Sequence, residues 1–527
     1  MIRRALLVIG LSCSPAFVRS QATPLVPPDD RVYRDIDRLA SAGLIDTLIF
    51  GARPLSEREV LRLLGDASRN LDRNPSSRSW AERVIEAGVA RYRRGGTRPL
   101  DALRVEGVAK HSPSRSVPRD DNGELDAEIN PLTANRGGRE LNGEVVGSLE
   151  TRSIASLGSH VAVMFNPRLT VASTDANSAD ADLAIQSASA GFLFGNLSIE
   201  AGRDYTIFGQ SPTGGLLLSE NAPTMDLVRV SNDAPFTLPW ILRVLGPIRA
   251  SGFFADLGGR GQMHPHAKLA GYHIAVLPHP RFEIGVEVID AMGGRGGEPA
   301  SFSDRLVDVV PLIDALFRSG SDFEFSNKMA GIDFHWRMPS WRGFELYGEG
   351  DVDDFDIRRA RSSFLEDGGL IVGTGFSCLA ECGRFGVRAE YRQTGIRYYT
   401  HNDYPLERRG LILGDPLGPR GISGTLTLDG DTDAGYFAVQ GAFEVRSGNQ
   451  YGSATTGPNT EGFHFVLTKQ NPAEKRTRVV ATWESDRGQR KVGILLSAGV
   501  ERVMDFAFLR GTDRTNSLAR AAITVRP

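Results

Sequence analysis

Beyond its first twenty residues, no stretch of the 527-residue chain carries the ~18 uninterrupted apolar side chains that a membrane-spanning helix needs. If the chain meets a membrane it does so as a closed barrel, because only helices and closed barrels satisfy every backbone group in lipid. Charge of one sign is also missing, since 61 Lys and Arg stand against 64 Asp and Glu. A net charge of -3 provides no field for nucleic acid or another polyanion. Cysteine is nearly absent, and only Cys378 and Cys382 lie beyond the N-terminal leader. A Cys-x-x-x-Cys pair in an exported chain can bridge a tight turn, so a disulfide is expected; a metal site there would lack further ligands. No G-x-S-x-G elbow, H-E-x-x-H pair, Ser-His-Asp order or phosphate-binding glycine loop occurs. No enzymatic activity, cofactor or metal is therefore expected.

What is present begins with a leader. Arg3 and Arg4 precede the apolar run Ala5 to Leu11, and Val18-Arg19-Ser20 suits cleavage, so residues 1–20 read as a secretory signal. A lipoprotein anchor at Cys13 competes, but Gly10-Leu11-Ser12 fit it poorly. Residues 21–98 then read as a small helical domain. Val32, Ile36, Leu39 and Ala40 recur at helical spacing behind Asp29-Asp30 and ahead of Gly43. Ser56 and Glu59 form a capping box, and a third helix is expected from Ser77 to Tyr92.

From about residue 99 to 527 the period changes to two. Phe282, Ile284, Val286 and Val288 alternate with Arg281, Glu283 and Glu287. Ile332, Phe334, Trp336 and Met338 alternate with Asp333, His335 and Arg337, and Phe385 to Arg392 behaves likewise. A soluble sandwich also alternates. Here the polar face is repeatedly Arg against Glu or Asp, which suits a wet lumen where charges pair. Strand candidates of about 8–12 residues number roughly sixteen to nineteen. The fold expected is mainly β, a transmembrane antiparallel barrel of about 18 strands below which sits a small N-terminal helical bundle. The Cys378–Cys382 turn is short, whereas 394–433 and 292–324 are long, the latter with a helical pattern near Leu306 to Phe317. Short turns on one side and long loops on the other suit an outer membrane, although the terminal aromatic common in such barrels is missing.

The most distinctive stretch is 202–246. It holds Gly202-Arg203, Phe208-Gly209, the run Gly214-Gly215-Leu216-Leu217-Leu218-Ser219-Glu220-Asn221-Ala222-Pro223, and Leu245-Gly246-Pro247. This pattern resembles the Wzi-type capsule assembly family of gram-negative outer membranes. Tyr33, Ile36, Leu39, Gly43-Leu44-Ile45 and Arg53-Pro54-Leu55-Ser56 continue the likeness upstream. Leu269-Ala270-Gly271-Tyr272, Pro278-His279-Pro280, Glu283-Ile284-Gly285 and Gly293-Gly294-Arg295-Gly296-Gly297 continue it downstream. The likeness is good from about 30 to 350 and faint beyond, and Phe208-Gly209 replaces a Trp-Gly form. It implies a lectin-like, non-enzymatic barrel that binds or organises capsular or other surface polysaccharide. Its partners would be that polysaccharide, outer-membrane lipids and capsule export machinery, with the helical domain in the periplasm. A diffusion porin is the alternative, and a lumen blocked by 205–222 and 292–324 would separate the two.

The residues themselves read first as architecture. Gly202 lets a strand bend, Arg203 is expected in the lumen, Gly209 accompanies the turn, and Ser219 and Asn221 can bond nearby backbone. Contact with a sugar is the other reading. A second candidate is the loop carrying Tyr398, Tyr399, His401, Asn402, Asp403 and Tyr404, where rings can stack on a glycan and carboxylates can bond hydroxyls. Asp429, Asp431 and Asp433 mimic a calcium loop but have Ala434 and Gln440 where Gly and Glu are required, so a solvated acidic loop is expected. His264-Pro265-His266 reads as a loop, and Asp351, Asp353, Asp354 and Asp356 as an acidic strand end in water.

Overall fold

The computed structural model describes residues 21–111, 132, 137–139, 141, 143–175, 178–260, 262–297, 326–353, 367–380, 382–401, 403–454, 464–468, 472–485 and 491–527. The leader, the helical pattern near Leu306 to Phe317, Asp354, Asp356 and Asn402 lie outside the described residues. Eighteen antiparallel strands close into a barrel. They are β1 (Arg98–His111), β2 (Val145–Leu157), β3 (Val161–Asp175), β4 (Ser178–Phe194), β5 (Leu197–Asp204) and β6 (Met225–Asn232). Next come β7 (Pro247–Asp256), β8 (Lys268–His279), β9 (Phe282–Met292), β10 (Ser326–Met338), β11 (Phe344–Asp353) and β12 (Gly368–Phe376). The last are β13 (Phe385–Thr394), β14 (Gly421–Thr432), β15 (Gly435–Arg446), β16 (Glu474–Glu484), β17 (Val492–Met504) and β18 (Arg514–Val525). Closure comes from β1 on β18, with Leu103 opposite Val525 and His111 opposite Ser517.

The alternation explains the barrel's two faces. Along β10, Ile332 and Trp336 stay exposed while Asp333, His335 and Arg337 are buried inside. Ile284 and Val286 on β9, and Leu426 and Leu428 on β14, likewise face outward. Each such side chain left in water forgoes about 1.5–3 kcal/mol, so a continuous belt of them is stable only against lipid. No helix among the described residues is long and apolar enough to cross a membrane.

At one end of the barrel the connections are mostly short, as at 158–160, 195–196, 280–281 and 433–434. At the other they are mostly long, as at 205–224, 257–267 and 395–420. The helices α1 (Val32–Ser41), α2 (Glu57–Arg69) and α3 (Arg78–Tyr92) pack on the short-turn end. Ser56 caps α2 by accepting the Glu59 N–H at 3.0 Å, as its capping box predicts. Arg31, Arg34 and Arg38, spaced so that they share a face, reach the barrel rim. Arg31 meets Asp431 at 2.9 Å, Arg38 meets Asp429 at 2.5 Å and Arg34 meets Glu484 at 3.3 Å. Trp80 of α3 donates to Asp431 at 3.3 Å. Cys378 and Cys382 are joined in the adjoining 377–384 turn, and Cys382 packs into the helical core.

Three expectations change here. The long loop ends at residue 420, because the alternation in Gly421–Thr432 builds β14. Asp429 and Asp431 are consequently not a solvated loop but inward groups at the short-turn rim, held by arginines of α1. Asp351 and Asp353 are buried inside β11 rather than standing in water.

Candidate functional site

The lumen is filled from both ends. The segment after α1 rises into the barrel, and Ala52–Arg53 pairs antiparallel with Ile207–Phe208 of the inward-folded 205–224 loop. Wall carboxylates seat this plug. Glu283 on β9 accepts the N–H groups of Phe50 and Gly51 at 2.9–3.0 Å, and the Gln210 amide at 2.7 Å. Asp333 on β10 accepts Gln210 and meets His273 Nε2 at 2.7 Å. Glu349 on β11 accepts the Leu216 N–H. Buried backbone donors need such partners, so each carboxylate both satisfies and positions the plug.

Glycine makes the approach possible. A Cβ at Gly215 would stand 1.9 Å from the Phe208 carbonyl oxygen, and one at Gly209 would stand 2.3 Å from Glu349. Over this seat lie Phe208, Leu216, Leu217 and Leu218, packed against the inner faces of β6 to β12. The 395–420 loop covers them. Ser219 Oγ donates to the Gly414 carbonyl at 2.6 Å and accepts the Asn221 N–H at 3.0 Å, and Asn221 donates to the Ile412 carbonyl at 3.0 Å.

Gly202 takes a positive φ of 136° late in β5, where a Cβ would stand 2.2 Å from the Ala188 carbonyl oxygen. Arg203 does not enter the lumen. Glu200 and Asp204 occupy the inward positions of β5, so the period of two turns Arg203 outward onto Asp226, with two contacts of 2.7 Å. The lumen cation of this region is Arg229 on β6, which pairs with Glu200 and donates to the Tyr205 carbonyl at 2.7 Å.

The tyrosine loop divides in two. Tyr398 and Tyr399 are fully buried in the apolar cluster over the plug, with ring centroids 4.2 Å apart, so their faces are turned away from any glycan outside. Tyr399 Oη donates to the Leu216 carbonyl and accepts the Asp415 N–H at 2.7 Å. Burial pushes both phenols well up, which keeps them protonated donors. The other part lies at the mouth. His264 stands 3.7 Å from Asp403, and its ring lies 5.2 Å from that of Tyr404; His401 lies 6.0 Å from Tyr404. Asp403 is exposed and Tyr404 is buried. The sequence places His264 in a plain loop with no carboxylate nearby, and only the fold brings the 257–267 loop and its His264 onto Asp403 of the 395–420 loop. Gln262 donates to the Glu407 carbonyl there, and Arg408 to the Asp256 carbonyl at 2.7 Å.

On its other side the plug borders a wet cavity of about 460 Å³, lined by Arg104, Arg139, Arg388 and Arg520 together with Glu150, Glu390 and Asp429.

The family model for the capsule assembly protein Wzi matches residues 122–518. The chain belongs to this family. It is an outer-membrane β-barrel. It is similar to Wzi of Escherichia coli, an outer membrane protein involved in group 1 capsule assembly and a carbohydrate-binding β-barrel. That likeness has 17% identity and a TM-score of 0.68, over 96% of this chain and 100% of that one. The Pseudomonas aeruginosa barrels OccK5 (OpdH) and OccD3 (OpdP) share 9% identity with it, at TM-scores of 0.42 and 0.43. They cover 81% and 82% of this chain, and 97% and 92% of their own lengths. Among curated proteins none matches it in sequence.

Proposed function

We propose that this Wzi-family barrel binds capsular or other surface polysaccharide at its extracellular mouth and organises it there, without catalysis. The observation that carries this reading is the mouth itself, where exposed Asp403 stands beside His264, His401 and Tyr404 over a plugged lumen. A carboxylate and imidazoles offer bonds to sugar hydroxyls, and the half-buried imidazole rings offer faces, with the buried Tyr404 ring supporting them from beneath. Gly202, Gly209, Ser219 and Asn221 act through the plug, holding the loops in place. Lipids of the outer membrane cover the apolar belt, and capsule export machinery meets the chain from the periplasm.

Purified barrel is expected to bind capsular glycan, and cells without the gene to lose capsule retention. Replacing both Asp403→Asn and His264→Ala should weaken glycan binding about tenfold, the worth of one or two hydrogen bonds. No glycan affinity together with unchanged retention would sink the reading. The charged cavity favours a diffusion porin as the second reading. Planar bilayers separate them, since a large open-state current fits only the porin.

A further inference from the structure

Three carboxylates of the lumen wall stand together with no cationic side chain paired to them among the described residues. Glu287 on β9 is fully buried, and neither of its carboxylate oxygens has a hydrogen-bond partner. Opposite it, across Gly331 of β10, lies Asp351 of β11, and Glu349 stands two residues before Asp351. One carboxylate oxygen from each of the three lies within 4.8 Å of the others. Gly331 makes this possible, because a Cβ there would sit 1.3 Å from Asp351 Oδ1.

The remaining oxygens are half satisfied in a telling way. Glu349 Oε1 takes the Leu216 N–H, and Asp351 Oδ2 lies 3.5 Å from the Tyr398 hydroxyl. Glu349 Oε2 and Asp351 Oδ1 have no partner. Among the described residues no Arg, Lys or His forms an ion pair with any of the three. The contrast with nearby clusters is sharp. Asp333 has His273 and Gln210, and the trio of Asp37, His335 and Glu345 is met by Arg337 and Arg388. Three buried carboxylates without a counter-charge are untenable as bare anions, since each costs several kcal/mol to desolvate.

We propose that Glu287, Glu349 and Asp351 hold a divalent cation, calcium by preference, behind the plug. The donor set is all oxygen, which suits a hard cation. Oxygens on opposite sides of a calcium ion at ~2.4 Å stand ~4.8 Å apart, and the three oxygens here all lie within 4.8 Å of one another. The ion joins β9 to β11, and through the Leu216 N–H and the Tyr398 hydroxyl it fastens the plug and the 395–420 loop to the wall. Nothing in the sequence pattern points to it, because the ligands come from two strands separated by a third. It does not depend on polysaccharide binding.

The test uses full-length protein extracted in chelator, with terbium as a luminescent stand-in sensitised by the adjacent tyrosine, and with calcium chloride. The wild type is expected to give saturable terbium luminescence at one equivalent, displaced by calcium, and a melting midpoint that rises with calcium. E287Q should weaken terbium binding about tenfold or more and lose the calcium-dependent rise. D513N, at an exposed turn, should keep both responses. Heat-modifiable migration reports whether each barrel is folded, and D351N serves if E287Q is not. Terbium binding unchanged in both folded variants, or no calcium response in the wild type, overturns the proposal. So does an E287Q barrel that is more stable than the wild type in the absence of any calcium response, the result expected if the carboxyls only share protons.

Discussion

One barrel wall serves two interiors. The inner faces of β6 to β12 meet a dry plug of Phe208, Leu216 and Tyr398. Those of β13 to β18 and β1 to β3 meet a wet cavity bordered by arginines and carboxylates. Both halves alternate in the same way, so periodicity alone does not distinguish them. The difference lies in the partners. On the dry side the wall carboxylates that face the plug take its backbone and amide donors, as Glu283 does from Phe50 and Gly51, and Glu345 nearer the rim takes Arg388. On the wet side they take guanidiniums, as Glu106 does from Arg104 and Arg520. A half built on volume should respond to volume, and a half built on charge should respond to charge.

The largest effect expected is from Phe208→Ala, which empties a fully buried site in the dry half and should cost about 3–5 kcal/mol. Leu495→Ala, at a half-buried position on the cavity, should cost under about 1 kcal/mol. Thermal melts of the two variants measure this contrast, and equal losses would dissolve it. Next comes Arg38→Ala, which leaves Asp429 at the rim with the Tyr436 hydroxyl but without its arginine. Its cost should fall between the ~1 kcal/mol of an exposed pair and the ~3–5 kcal/mol of a buried one, and limited proteolysis should release the helical domain.

A smaller effect concerns the wet half at low pH. Burial would raise the pKa of Asp29, but Arg139 and Arg104 overcome this and hold it at about 2. An unfolded aspartate titrates near ~3.9, so the stabilisation is complete above that value and lost as pH falls toward 2. The margin of the wild type over Asp29→Asn should therefore shrink between pH ~4 and ~2 in parallel melts, and a constant margin would remove the coupling. Smallest of all is Arg203→Ala. An outward pair with Asp226 should be worth ~1 kcal/mol or less, whereas a lumen arginine would cost several times more.

Much of the architecture could be read before folding. Strand period, the capping box at Ser56 and the 202–246 motif are local, and local signals survive in a linear chain. Direction was harder. Arg203 follows Gly202 in a strand whose inward positions belong to Glu200 and Asp204, and a shift of one residue reverses its face. Tyr398 and Tyr399 looked like loop-tip aromatics because nothing nearby in sequence shows Leu216 beneath them. Asp429 and Asp431 looked solvated because their partners, Arg38 and Arg31, come nearly four hundred residues earlier. The spacing of Arg31, Arg34 and Arg38 was the one available sign that α1 grips something acidic.

That grip has a consequence for the order of assembly. The helices precede every strand in the chain, yet Asp429, Asp431 and Glu484 belong to β14 and β16, among the last strands made. Until those strands have joined the wall, the three arginines lack these carboxylates, and α1 holds the earlier strands through Asp37 on Arg337 and Arg388 and Ser41 on Glu345. The first-made domain therefore acts as a latch that closes fully only on a finished cylinder, and a barrel truncated before β14 would leave its arginine face unmatched.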